Sequence, residues 1–126
     1  MPPDPTRDSK GTGVIDPKVI QGLRDLGGED EPGLLAELIK IFLEDAPQRM
    51  KDITEGLAGG DLLRVERGAH TLKSSSANIG ALALSDLCRR IVESARAQRP
   101  ETLPELCDES ARSLAAAAEA LRSMRT

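Results

Sequence analysis

Residues 35–57 read LAELIKIFLEDAPQRMKDITEGL, and their apolar positions recur at helical spacing. Leu35, Leu38, Ile39, Phe42, Ala46, Met50, Ile53 and Leu57 fall on one face in steps of three and four, the pattern of a buried helical stripe. Pro47 lies inside it, where it removes one backbone donor and crowds the Leu43 carbonyl. The stripe stays in phase through that proline, so a kink is expected rather than a break. The element starts near Pro32, and Gly59-Gly60 closes it.

The same periodicity extends in both directions. A helix over about 61–77 is expected, capped by Asp61, with Leu62, Val65, Ala69, Leu72 and Ser76 inward and a stop at Asn78 and Gly80. Another runs over about 82–98, with Leu84, Leu87, Cys88, Ile91, Val92 and Ala95 on one side and Pro100 just beyond. The last begins at Thr102 and Glu105, spaced as a capping box, and continues through Leu106, Cys107, Leu114, Ala118 and Leu121. Upstream, Asp16 and Pro17 open a short helix over about 16–26 that Gly27-Gly28 ends. Residues 1–13 are rich in Pro, Gly and polar side chains and read as a flexible tail or linker. No alternating run marks a strand. The expected fold is therefore all-α: an antiparallel up-and-down four-helix bundle over 14–126, with the short first helix over one end.

Composition narrows the function. The 126 residues carry 17 basic and 21 acidic side chains, a formal net charge of −4, which argues against nucleic acid. No apolar run reaches the roughly 20 residues of a membrane span, and no signal-peptide core is present, so a cytoplasmic protein is expected. Cys88 and Cys107 show no metal-site spacing and read as small core residues. Phe42 is the one aromatic residue and His70 the one histidine, which removes stacking platforms and multi-histidine metal sites. Nucleotide-binding loops and a nucleophile elbow are also missing. Any chemistry here centres on His70.

At about 100° per residue, His70 lies on the shoulder of its helix, one step round from the buried Ala69. Its neighbours at three and four residues are Glu66, Arg67, Lys73 and Ser74. Those surroundings suit an accessible imidazole better than a packed one. A neutral imidazole is a nitrogen nucleophile at cellular pH, and a phosphoryl group placed on it needs nearby cations. Lys73 is within reach one turn on, with Arg67 on the other side. The chain has no nucleotide site, so a phosphoryl donor has to be another protein. By geometry alone, an inert solvated face accounts for the same residues.

Residues 69–81, AHTLKSSSANIGA, resemble the signature of histidine-containing phosphotransfer (HPt) domains: His-x-Leu-Lys-Gly-Ser-Ser, then Gly-Ala, then Leu and Cys on the next helix. The matching positions are His70, Leu72, Lys73, Ser75, Ser76, Gly80, Ala81, Leu87 and Cys88. The run FLEDAP at 42–47 is similar to the family's preceding helix, and the resemblance spans about 30–122. It implies a four-helix bundle that takes a phosphoryl group on the Nε2 of His70, with Lys73 as the stabilising cation; the completeness of the bundle points to a monomer. The implied partners are response-regulator receiver domains and a sensor or hybrid histidine kinase. Mg²⁺ and most catalytic groups belong to the receiver, so the chain is expected to be a stoichiometric carrier with no cofactor of its own. Leu63, Arg67, Ser74, Ala77 and Phe42 are the expected docking residues around His70, with plain core as the equal alternative for Phe42.

Ser74 departs from the pattern, standing where the family usually has glycine. Its hydroxyl is expected to bond back to the His70 carbonyl. Two other readings stay open at this point: a helical adaptor that is not phosphorylated, and a phosphatase or kinase-related dimerisation domain.

Overall fold

The computed structural model describes residues 14–27 and 33–125. The expected tail over 1–13 and the expected helix start near Pro32 lie outside the described residues. Five α-helices follow in order: α1 Pro17–Gly27, α2 Leu34–Ala58, α3 Leu62–Asn78, α4 Leu82–Arg96 and α5 Leu103–Arg125, with a 3₁₀ turn, Pro100–Thr102, before the last. No strand occurs among the described residues.

Most of the α2 stripe is buried as its spacing requires: Leu35, Ile39, Phe42, Ala46, Met50 and Ile53 line the core, Leu38 and Leu57 are half-buried against it, and the helix runs through Pro47 without a break. Asp61 caps α3 by accepting from the Arg64 amide at 3.1 Å. At its other end, the Ala81 amide returns to the Ser76 carbonyl at 2.8 Å and the Gly80 amide to the Ala77 carbonyl at 3.2 Å. That pair of bonds defines a left-handed stop, and Gly80 supplies it at φ +88°.

The same stop ends α4 at Arg96, two residues earlier than expected. The Arg99 amide bonds the Ser94 carbonyl at 2.9 Å, and Gln98 takes φ 57° without the freedom of glycine. The expected capping box of α5 does not form. The Thr102 hydroxyl instead lies 2.9 Å from the Ser94 hydroxyl and donates to the Arg99 carbonyl at 3.0 Å, held there by the 3₁₀ turn.

Helix α2 packs on α3, α3 on α4, α4 on α5, and α5 closes back against α2, giving the four-helix bundle. The short α1 covers one end: the Asp16 amide donates to the Gly80 carbonyl at 2.8 Å, and Ile15 and Ile20 join the core. Among the described residues, no helix is long and apolar enough to cross a membrane.

Candidate functional site

Helix α3 carries the site because its two faces differ in side-chain type. Val65, Gly68, Ala69, Leu72 and Ser76 are buried, while Leu62, expected inside, is half-buried at the helix start. On the opposite side, Leu63, Arg67, His70 and Ser74 form an exposed row, with Lys73 and Ala77 half-buried at its edge. Leu63 keeps 54 % of its surface, an apolar side chain left beside a histidine.

Two neighbouring helices hold this row in place. On the α2 side, Asp52 joins Arg49 at 3.1 Å and Arg64 at 3.1 Å, and Glu55 takes a second bond from Arg64 at 3.0 Å. The hydrogen bonds to Asp52, and then to Glu55, raise the Arg64 guanidinium pKa still further above its ordinary value. On the α4 side, Arg96 pairs with Glu66 at 2.6 Å, and the Ser85 hydroxyl donates to the Lys73 carbonyl at 2.9 Å. The acids nearest the row are thus paired. Among the described residues, Arg67 and Lys73 have no acidic partner.

Gly68 was not legible as a site-shaping residue. A β-carbon there would stand 3.0 Å from both the Arg49 carbonyl oxygen and the Asp52 β-carbon, so α2 and α3 approach closely two residues before His70. The signal available was the small Gly-Ala pair preceding the histidine.

Phe42 is corrected from docking residue to core residue, at 4 % exposure. It lies in the phase of the α2 stripe, whereas Ile41 next to it is 51 % exposed. Phe42 contributes only to the floor of a groove of about 440 Å³ whose walls are Leu23, Leu38, Ile41, Ser75 and Asn78. The expected bond from the Ser74 hydroxyl to the His70 carbonyl is not formed. The neighbouring Ser75, half-buried at this groove, bonds back to its own helix instead, donating to the Leu72 carbonyl at 3.3 Å. Cys88 and Cys107 are buried, and burial pushes their thiols up to about 12 and about 11, which leaves them unreactive packing groups.

An exposed imidazole flanked by two uncommitted cations, on the outer face of a closed bundle, suits a group carried on nitrogen and handed between proteins. The family model of the Hpt domain matches residues 37–124, from the first turn of α2 to the end of α5. The chain belongs to the Hpt domain family. Similar curated proteins include histidine-containing phosphotransfer protein 1 of Arabidopsis thaliana, 28 % identical over 78 residues covering 60 % of this chain and 50 % of that protein. The phosphorelay intermediate protein YPD1 of Candida albicans is 26 % identical over 91 residues, 72 % of this chain and 49 % of that one. This Hpt chain spans about half the length of the curated relatives it matches. Among solved structures, histidine-containing phosphotransfer protein B of Pseudomonas aeruginosa PAO1 superimposes with a TM-score of 0.81 at 28 % identity, covering 89 % of this chain and 94 % of that one. The Hpt bundle of this chain is thus matched over most of its length.

Proposed function

We propose that this Hpt chain is a phosphoryl carrier of a two-component phosphorelay, with His70 as the acceptor. The observation that carries the reading is the exposed His70 between Arg67 and Lys73, two cations without acidic partners among the described residues. In the step proposed, the Nε2 lone pair attacks the phosphorus of an aspartyl phosphate on a receiver domain. The N–P bond forms as the O–P bond breaks, the carboxylate leaves with that electron pair, and the ring keeps its Nδ1 proton until solvent takes it. Lys73 offsets the charge of the phosphoryl group, and transfer to a second receiver reverses the step.

On this reading the chain acts stoichiometrically and needs no cofactor of its own; Mg²⁺ sits on the receiver. Its partners are receiver domains and a sensor or hybrid histidine kinase. The reading takes the chain as a cytoplasmic protein and as a monomer, the latter supported by a bundle that α5 closes against α2. Leu63, Ser74 and Ala77 form the docking surface, with Ile41 added to them.

The test is acid-labile, base-stable phosphate incorporation from a panel of phosphorylated receivers into wild type and His70→Gln. Label on wild type that disappears in the variant is expected. Binding of a receiver with no label from any member of the panel overturns the reading in favour of an adaptor.

A further inference from the structure

A second groove, of about 410 Å³, runs between α2 and the N-terminal half of α3, and Arg67 and Thr71 bring it alongside His70. Its hydrogen-bonding groups do not balance. Asp52 accepts from Arg49 and Arg64, and Asp61 accepts from the Arg64 amide, so both carboxylates of the lining are occupied. One reachable donor remains, because the Arg49 guanidinium is held by Asp52 at 3.1 Å and lies 3.6 Å from Asp45, with its Nε buried. Arg67 is exposed and has no acidic partner among the described residues. An exposed guanidinium without a carboxylate partner is open to an acceptor brought by a docked protein.

Resting on the relay reading, we propose that the Arg67 groove receives a carboxylate side chain from the docking face of the partner receiver. The groove thereby selects partners that carry an acid at that position. Charge complementarity specifies the occupant: the chain is acidic overall, at −4, yet three arginines and two aspartates line this groove, and Arg67 is the arginine left without a carboxylate among the described residues. Position separates that occupant from the transferred phosphoryl group. Lys73 lies on the other flank of His70, and the groove leads from Arg67 towards Asp61 and Leu63, away from the imidazole. Its occupant belongs to a protein docked across α2 and α3. Leu63, exposed at the rim, supplies apolar contact beside the ion pair.

The experiment measures dissociation constants of a panel of unphosphorylated receiver domains for wild type, Arg67→Glu and Arg112→Glu. Both variants change the net charge equally, and Arg112 is an exposed arginine on α5. Arg67→Glu is expected to weaken the transferring receiver roughly tenfold and Arg112→Glu to leave it within about twofold. Replacing the matching acid of the receiver by arginine is expected to restore binding to Arg67→Glu. Equal effects of the two variants overturn the proposal, as does an unchanged dissociation constant accompanied by a shorter phosphohistidine lifetime. Failure of the relay reading is read elsewhere, as a receiver that binds wild type while no member of the panel labels it.

Discussion

The hydroxyl of Ser85 donates to the main-chain carbonyl of Lys73 at 2.9 Å, tying α4 to α3 three residues beyond His70. Four residues before His70, Glu66 is tied to α4 by Arg96. His70 therefore sits between two links that resist rotation of α3 about its own axis. The Ser85 bond is part-buried, and the Arg96 pair is exposed on the arginine side, so the hydroxyl is the stronger of the two. Ser85→Ala is expected to lower unfolding free energy by about 1 kcal/mol, with the denaturant slope unchanged. Ser85→Thr, which keeps the hydroxyl, should recover most of that loss. A denaturation midpoint unchanged in Ser85→Ala would show that the bond contributes nothing.

Gly68→Ala tests the close approach of α2 to the site. A mid-helix Gly→Ala change alone stabilises by about 1 kcal/mol. Here the new methyl meets the Arg49 carbonyl oxygen, a backbone atom that cannot swing aside, at 3.0 Å. Overpacking of this kind costs about 1–3 kcal/mol, so net destabilisation is expected in chemical denaturation. A gain in stability would mean that the two helices separate freely.

Gln98 is the opposite case. It holds φ 57° in a stop whose geometry glycine adopts without strain. Gln98→Gly is expected to raise stability by about 1 kcal/mol, read from the shift in thermal midpoint. Gln98 is exposed, so lost side-chain contacts offset little of that gain.

The two thiols set an alkaline limit. Burial raises both above the ordinary value of 9.0, Cys88 to about 12 and Cys107 to about 11. A raised pKa in the folded state means that the unfolded chain loses its thiol protons first. The stabilisation is complete below about pH 9 and is lost as pH rises from there through the folded values. The fall in stability above that pH should be shallower in a Cys88→Ala, Cys107→Ala double variant, and parallel curves would exclude the thiols as its cause.

Most of this architecture was legible from apolar spacing, because a bundle helix buries one stripe and the stripe is written at steps of three and four. Ile39, Phe42, Ala46 and Ile53 follow that rule. What spacing could not give was anything decided between helices. Gly68 acquires its role only because the Arg49 carbonyl faces it, and Thr102 left its expected cap because Ser94 and the Arg99 carbonyl lie within its reach. His70 and Lys73 stood out because they are polar residues in a motif, while the unsatisfied Arg49 Nε becomes visible only once the partners of Asp52 are known.

Lys73 and Ser74 separate holding the phosphoryl group from admitting the partner. Lys73 is half-buried with its ammonium free of acids among the described residues, so it can meet charge on His70 without first breaking an ion pair. Lys73→Ala is expected to slow phosphorylation of His70 roughly tenfold, a cost of about 1.4 kcal/mol, with the receiver dissociation constant within about twofold. Lys73→Arg should restore part of the rate, since the charge is kept but its reach and geometry differ. Ser74 is exposed and its hydroxyl is not engaged with the His70 carbonyl. Its effect is therefore steric, one hydroxymethyl group on the docking face. Ser74→Gly is expected to tighten receiver binding by a few-fold and to leave the phosphohistidine lifetime unchanged. A changed lifetime in Ser74→Gly would instead place that hydroxyl in contact with the carried group.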